Sequence, residues 1–316
     1  MRCCSSCSPT SAPARSFIAD RVASVPTTSQ PVAPAAASLA PGIVAAAAFA
    51  CADVLGKVVF TSGGDVLTLL SFRSVVGLAL FAAWLRVGER PVPFTPRERA
   101  IALGLGLLFA VTVYCIFEAI DRMDVPTAIL AYFVYPLITG LVAGITGMER
   151  LSWRGVAAAI VAFLGLSLMI GAHPGELALI GVAFSFVGAI SRAAMLLISR
   201  ALLVKSDARL TTWYSLLSST VVFVAISGVT RTWHPPHGAV GWTALGAISV
   251  VTIIAILATF ISTIRVGPFR TALVMNLEPL LTAIGSALLL GEVVTPVQAL
   301  GGAVMLAALV AFQLRR

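Results

Sequence analysis

The chain consists, from Pro41 onward, of apolar runs of roughly twenty residues separated by short polar breaks. An α-helix rises about 1.5 Å per residue, so one such run is long enough to cross the ~30 Å hydrocarbon core of a bilayer. The pattern therefore predicts an all-α membrane protein with ten transmembrane helices. Their predicted ranges are 41–60, 66–86, 100–119, 125–147, 153–171, 177–199, 210–228, 240–264, 269–290 and 296–314.

The positions of lysine and arginine predict how these helices are oriented. With the N-terminus in the cytoplasm, sixteen of these residues fall in the inner segments, and only Arg122 and Arg231 fall in the outer ones. Cytoplasmic loops of membrane proteins carry such an excess of positive charge. We therefore predict that both termini are cytoplasmic. The bias also supports the count of ten, because one missed or extra helix would exchange the inner and outer assignments of all later loops.

The composition excludes an ordinary soluble domain, since 59% of the residues are apolar, 11% are charged and the mean hydropathy is +1.01. The net charge of +8 does not indicate nucleic-acid binding, because the basic residues lie in short gaps between apolar runs and form no patch. The cysteines and histidines lack the spacing of a four-ligand metal site, and no GxxxxGK[ST] phosphate loop occurs. We therefore expect no metal and no cofactor.

Residues 1–40 are rich in Ser, Ala, Pro and Thr and contain no apolar core of signal-peptide length. This composition predicts a disordered N-terminal tail. Its scattered arginines and low acid content also fit an organellar transit peptide, and both interpretations stay open.

The second half of the chain repeats a frame found in the first. Pro136-Leu137-Ile138-Thr139 is followed by Glu149, and Pro279-Leu280-Leu281-Thr282 is followed by Glu292, with an offset of 143 residues. Five helices per copy is an odd number, so the second copy enters the membrane upside down. Inverted repeats of this kind are typical of secondary transporters. The predicted units are the tail 1–40, a first repeat 41–171 and a second repeat 172–316.

These residues resemble the EamA family of the drug/metabolite transporter superfamily. The matching features are the proline of each fourth helix, the endings Gly147-Met148-Glu149 and Gly291-Glu292, and the pair Glu278-Pro279 in the ninth helix. The resemblance implies ten helices in two inverted repeats. It also implies secondary transport of a small metabolite or drug by alternating access, without ATP hydrolysis, and no enzymatic activity.

Four ionisable residues inside the apolar runs are candidates for a substrate cavity, because hydrocarbon solvates charge poorly. Asp53 and Lys57 are four residues apart on the first helix and therefore share a face. Arg73 lies in the second helix, and Glu278 lies near the middle of the ninth. We expect Glu278 to face the cavity and to pair with Arg73 or Lys57, or to bind substrate or a proton. The alternative role for Asp53 is a structural ion pair. The alternative for Lys57 and Arg73 is contact with the membrane interface.

Neutral candidates surround the repeated prolines. Tyr132 and Tyr135 are placed to present rings and hydroxyl groups to a substrate, and Asn276 to orient one; packing is the alternative for each. Pro136 and Pro279 are expected to kink their helices and act as hinges, because proline leaves a carbonyl of the preceding turn unpaired.

Three further charged residues are assigned structural roles. Arg192 is predicted to lie near the inner end of the sixth helix, within reach of the interface. Glu149 and Glu292 are expected to organise the turns that follow their helices rather than to bind substrate.

The sequence thus predicts a transporter of a small amino-acid-like, nucleoside-like or other polar organic solute in a bacterial inner membrane. An organellar metabolite carrier is the alternative if the tail is cleaved on import, and an intramembrane lipid-modifying enzyme is a second alternative. The expected partners are the lipid bilayer, the solute and either a coupled proton or an exchanged solute. A homodimer stays open, and no nucleic acid is expected.

Overall fold

The computed structural model describes residues 35–87, 91–122, 131–149, 153–170, 179–290 and 295–314. The regular structure within these ranges is helical. The helices are α1 (Ala35–Thr61), α2 (Val66–Val87), α3 (Pro96–Arg122), α4 (Tyr135–Ile145), α5 (Trp153–Ile170), α6 (Leu179–Leu203), α7 (Ala208–Thr230), α8 (Gly238–Val266), α9 (Pro268–Met275), α10 (Leu277–Leu290) and α11 (Pro296–Leu314). Most of the predicted tail, the start of the predicted fourth helix and Gly291-Glu292 lie outside the described residues.

Six of these helices are long and apolar enough to cross a membrane. They are α1, α2, α3, α6, α7 and α8, and the shorter apolar helices are Tyr135–Ile145, Gly155–Leu168 and Ala299–Ala308. Large apolar side chains on their outer faces are exposed, among them Leu164 and Val221. Exposed apolar faces on helices of this length are typical of a protein that lies in lipid. The chain is therefore an integral membrane protein that crosses the bilayer several times.

The two halves pack against each other in a symmetric pattern. In the predicted repeats, α1 and α6 are equivalent, as are α2 and α7, and α3 and α8. The extensive contact of α1 with α8 corresponds to the contact of α6 with α3. In the same way, the contact of α2 with α8 corresponds to the contact of α7 with α3. The contact of α1 with α10 likewise has its counterpart in that of α6 with α4. Three further contacts join equivalent helices directly, namely α2 with α7, α4 with α9, and α5 with α11. Exchange of the halves thus preserves these main contacts.

The predicted ninth helix, 269–290, is not one uninterrupted helix. Asn276 separates α9 from α10, and its N–H donates to the carbonyl of Leu273 at 3.2 Å, three residues back. Its dihedral angles, φ −61° and ψ −13°, remain helical, so the interruption lies in the hydrogen-bond ladder. Pro279 explains it, because proline has no N–H to donate to the carbonyl four residues earlier. In the first half, turn residues 133–134 precede Tyr135 and Pro136 at the equivalent position.

Small and hydroxyl-bearing residues allow α3 and α7 to approach closely. The hydroxyl groups of Ser215 and Ser218 donate across the interface to the carbonyls of Ala102 at 3.0 Å and Leu103 at 2.8 Å. A Cβ added at Gly106 would collide with Ser218 Oγ and the Ser215 carbonyl, and would lie 2.7 Å from Ser215 Cα. Helix association in lipid relies on such close packing and interhelical hydrogen bonds.

We expect Gly106→Ala to destabilise the protein, because the new methyl group meets the backbone of α7 and cannot be accommodated by a side-chain rotation. Overpacking of this kind costs roughly 1–3 kcal/mol. Gly104→Ala is the matched control, since a Cβ there meets nothing within 4 Å. Thermal unfolding in detergent should show a lower midpoint for Gly106→Ala alone. Equal midpoints for the two variants would contradict this account of the α3–α7 contact.

Candidate functional site

A group of charged side chains from α1, α2 and α10 meets between the two halves. Asp53 Oδ2 accepts a hydrogen bond from Thr282 Oγ1 at 3.2 Å, which joins α1 to α10. Arg73 on α2 and Lys57, one turn along α1, act electrostatically on the same carboxylate. Arg73 is only 9% exposed, whereas Asp53 remains accessible to solvent. Asp53 therefore lines an opening between these helices.

A second charged pair, Glu278 and Arg192, lies beside Asp53. Glu278 interacts electrostatically with Asp53 and with Arg192 of α6. The side chain of Arg192 is 4% exposed, and its Nε has no hydrogen-bond partner among the described residues. A buried N–H without a partner is costly, because the hydrogen bonds it made to water are lost. This part of the site therefore holds a donor with no acceptor.

Aromatic rings enclose the Arg192 guanidinium. Its Cζ lies 5.0 Å from the centroid of the Phe49 ring and 6.0 Å from that of Tyr135. Arg192 also interacts electrostatically with the Tyr135 side chain. The Tyr132 ring lies 5.4 Å from the Tyr135 ring, and Phe133 packs against both. Cations are attracted to the faces of aromatic rings, so these rings hold the guanidinium in place.

The repeat offset relates several of these residues. Arg192 follows Phe49 by 143 residues, and Glu278 follows Tyr135 by the same number. Arg192 is in contact with Phe49 and interacts with both Tyr135 and Glu278. A contact between equivalent positions of two repeats lies close to the axis that relates them. The Arg192 side chain therefore lies where the two halves of the protein meet.

The predicted ionisable residues thus come together, but with a different pairing. Asp53 interacts with Lys57, as their four-residue spacing indicates, and also with Arg73, a pairing that was not predicted. Glu278 was expected to pair with Arg73 or Lys57, whereas the cation acting on it is Arg192.

The prediction that Arg192 lies within reach of the interface is wrong. The side chain is 4% exposed, and its guanidinium lies against the rings of Phe49 and Tyr135 in the interior of the protein. It therefore does not extend to the membrane surface.

The sequence did not identify Phe49, Arg192 or Thr282 as members of this group. Thr282 follows Glu278 by four residues, so the two lie on one face of α10, and this spacing was a usable signal. Arg192 carried a signal of its own, as an arginine within an apolar run. Phe49 carried none, because a phenylalanine in an apolar helix is ordinary.

The remaining predicted residues lie at the two helix interruptions. Asn276 is itself the interruption between α9 and α10, and it is 3% exposed. Pro136 and Pro279 occupy the first turns of α4 and α10, so each interruption lies shortly before its proline. A threonine lies three residues after each proline. The hydroxyl of Thr139 donates to the Tyr135 carbonyl at 2.7 Å, whereas the hydroxyl of Thr282 donates to the Asp53 carboxylate.

A separate contact joins the turn that follows α4, in the first repeat, to the start of α9. Glu149 Oε1 accepts a hydrogen bond from the backbone N–H of Phe269 at 2.9 Å. Its backbone forms the predicted turn, with a bond from Glu149 N to the Ala143 carbonyl at 3.2 Å. A carboxylate at a helix N-terminus is favourable because the helix dipole is positive there. Glu149 therefore connects the two halves, a role that the sequence did not predict.

Charges near Glu149 modify this contact. Burial raises the pKa of Glu149 above its ordinary value, and the Phe269 N–H and the charges of Arg270 and Arg200 oppose that shift.

Gly267, at the turn before α9, has a φ of +97°. A Cβ at this position would collide with the Glu149 carboxylate and lie 2.7 Å from its Cδ. The turn and the carboxylate thus fit only around glycine.

The comparison with protein families matches both halves of the chain. The family described as "EamA-like transporter family" matches residues 37–171 and again residues 179–312. The chain belongs to the EamA-like transporter family. Proteins of this family are generally transporters, and the two matches correspond to its two-repeat architecture. No curated protein matches the chain.

Solved structures share the fold of this chain. One of them, described only as "Crystal structure of protein", is 17% identical to this chain with a TM-score of 0.74. The match covers 89% of this EamA chain and 99% of the other. At this identity the likeness concerns the fold alone.

Proposed function

We propose that this EamA protein is a secondary active transporter that moves a small organic solute by alternating access. Its ten transmembrane helices form two inverted repeats of five, with both termini in the cytoplasm of a bacterial cell and the protein in the inner membrane. Family membership, the symmetric packing of the halves and the charged group between them support this proposal. Inverted repeats place substrate near the midplane, at the interface between them.

The buried Arg192 side chain carries the proposal for the substrate. Its unpartnered Nε lies beside Glu278 and between aromatic rings, at the junction of the halves. A guanidinium is well suited to a carboxylate, because its N–H groups match the two carboxylate oxygens. We therefore infer that the transported solute carries a carboxylate, which binds Arg192.

The charge of the site supports a second feature of the solute. Lys57, Arg73 and Arg192 are positive, while Asp53 and Glu278 are negative when ionised, so the group has one excess positive charge. A bound carboxylate offsets the charge of Arg192 itself. Asp53 remains available to accept hydrogen bonds from an ammonium group, and the rings of Tyr132 and Tyr135 offer apolar contact. An amino-acid-like solute satisfies all of these groups.

Glu278 is also the proposed coupling residue. It lies between a like charge, Asp53, and an opposite charge, Arg192. A carboxylate in such a place changes its preference for a proton when either neighbour is neutralised. Binding of a solute carboxylate to Arg192 weakens the electrostatic attraction between Arg192 and Glu278. Glu278 then takes up a proton. Substrate and proton would thus move together.

The experiment is a thermal-stability screen of the full-length protein in detergent against amino acids, nucleosides, flavins and cationic drugs, followed by flux measurements in vesicles. A ligand specific to the folded state stabilises it by about 2.7 kcal/mol at a hundredfold excess over Kd. We expect a carboxylate-bearing compound to stabilise the wild type. Glu278→Gln should abolish its transport or the pH dependence of transport.

Asp65→Asn is the matched control for Glu278→Gln. It removes a carboxylate at the start of α2, where Asp65 Oδ1 accepts from the Thr68 N–H at 3.2 Å, and asparagine caps helices equally well. This variant should transport like the wild type. Wild-type transport and pH dependence in Glu278→Gln would overturn the role of Glu278, and stabilisation only by compounds without a carboxylate would overturn the substrate proposal.

A further inference from the structure

An apolar groove of about 740 Å³ lies between α1, α2 and α8, apart from the charged group described above. Phe81 and Ala258, both buried, form part of its floor, and Val44, Leu80 and Ile254 form part of its walls. Arg265 is the one charged residue among the described residues that line it. The groove is large enough for a small-molecule ligand, since such sites occupy roughly 300–1,000 Å³.

The groove opens towards the side of the protein. The α1 and α2 helices both pack against α8 but have little contact with each other. Val44, Leu80 and Ile254 are each close to half exposed, whereas Phe81 beneath them is 1% exposed. The opening therefore faces the lipid, and its floor is the packed interior.

The groove is at least as long as the hydrocarbon part of one lipid leaflet is deep. Its lining on α8 extends from Val250 to Arg265, which is fifteen residues or roughly 22 Å. One leaflet contributes about half of the ~30 Å hydrocarbon core. A chain lying in the groove would therefore run from the membrane surface to beyond the bilayer midplane.

The charged end of the groove lies at the predicted cytoplasmic surface. The beginning of α1 and the ends of α2 and α8 meet there, with Trp84 lining the groove and Arg86 closing α2. Arg265 is exposed, and within the described part of the chain no carboxylate lies within ion-pair distance of it. Cytoplasmic leaflets are rich in anionic lipids, and indole rings favour the interface.

We propose that this groove binds an anionic phospholipid, with an acyl chain along α8 and the phosphate group at Arg265. Charge complementarity at one end and an apolar lining of leaflet depth along the rest select this occupant. A neutral detergent satisfies the lining but leaves the guanidinium without an anion, and in a zwitterionic phospholipid the quaternary ammonium group offsets the charge of the phosphate. The bound lipid would seal the gap between α1 and α2.

The test is native mass spectrometry of the full-length protein, titrated with phosphatidylglycerol and with phosphatidylcholine of identical acyl chains. We expect the wild type to bind the first phosphatidylglycerol about fivefold more tightly, the effect of one basic residue at an anionic surface. Arg265→Gln should remove that preference while still binding both lipids. Val44→Trp, which fills the groove, should lose both.

Arg97→Gln provides the matched control, because it removes an exposed arginine at the start of α3, away from the groove. It should keep the preference of the wild type. If Val44→Trp does not fold, Leu80→Trp fills the opposite wall at a similarly exposed position. The proposal would be overturned if Arg265→Gln kept the preference for phosphatidylglycerol. It would also be overturned if the tryptophan variant bound its first lipid with the affinity of the wild type.

Discussion

Replacing Arg192 with methionine should abolish the binding of carboxylate-bearing ligands while leaving the protein folded. The guanidinium is 4% exposed and its Nε has no partner among the described residues, so its charge is held in the structure at a cost. Methionine has a similar length and removes that cost. Loss of a buried charged partner costs a ligand roughly 2–5 kcal/mol, or about thirtyfold to several thousandfold in Kd.

The measurement is ligand affinity by isothermal titration calorimetry, with the amide of the same ligand as the uncharged comparator. The wild type should prefer the carboxylate, and Arg192→Met should bind both forms equally weakly. Arg192→Lys keeps the charge but loses the planar pair of donors, so it should fall between them. Retention of the preference for the carboxylate in Arg192→Met would show that the anion binds elsewhere.

The methionine variant has one foreseeable complication. Without Arg192, Glu278 keeps its unfavourable interaction with Asp53 and loses the favourable one. If Arg192→Met does not fold, the double variant Arg192→Met/Glu278→Gln removes both members of the pair. A neutral isostere of a buried ion pair is often as stable as the pair itself. The double variant should therefore fold, and it should still lack the preference for carboxylates.

Gly267→Ala should be the most destabilising single-methyl substitution among the glycines described above. The turn before α9 has φ +97° and ψ 164°, a region of backbone conformation that is essentially limited to glycine and costs other residues about 1–3 kcal/mol. The added methyl group would also collide with the Glu149 carboxylate that bonds to Phe269 N–H. Both effects act at the contact between the two repeats.

A double-mutant cycle separates these two effects. In Gly267→Ala/Glu149→Ala the collision disappears while the backbone strain stays, so part of the lost thermal stability should return. Gly246→Ala, in α8, is the control, since a Cβ there meets nothing within 4 Å. Thermal unfolding in detergent is measured for the wild type, the two single variants, the double variant and the control. Strictly additive losses from Gly267→Ala and Glu149→Ala would mean that the two residues do not interact.

The sequence predicted the features that depend on local pattern. Apolar run length gave the positions of the helices, and the Pro-Leu-x-Thr frame revealed the repeat. The four-residue spacing of Asp53 and Lys57 placed both residues beside one another, because i and i+4 positions share a helix face. The EamA resemblance, carried by Glu278-Pro279 and the two trailing glutamates, was confirmed by the family match.

The features that the sequence missed depend on contacts between distant segments. Thr282 bonds to Asp53 across 229 residues, and Glu149 bonds to Phe269 across 120. A periodicity argument contains no information about which helix faces which. The error over Arg192 had the same origin, since the sequence pattern did not show that the rings of Phe49 and Tyr135 lie against its guanidinium.

The packing of α1 against α8 has a consequence for the synthesis of the protein. Gly238, where α8 begins, follows the end of α1 at Thr61 by 177 residues. At a translation rate of about 5–20 residues per second, α1 waits roughly 10–35 seconds for its main partner. During that time Asp53 and Lys57 have no contact with α8 or α10. Their spacing lets each charge offset the other within one nascent helix, so α1 can enter the bilayer before the rest of its binding partners exist.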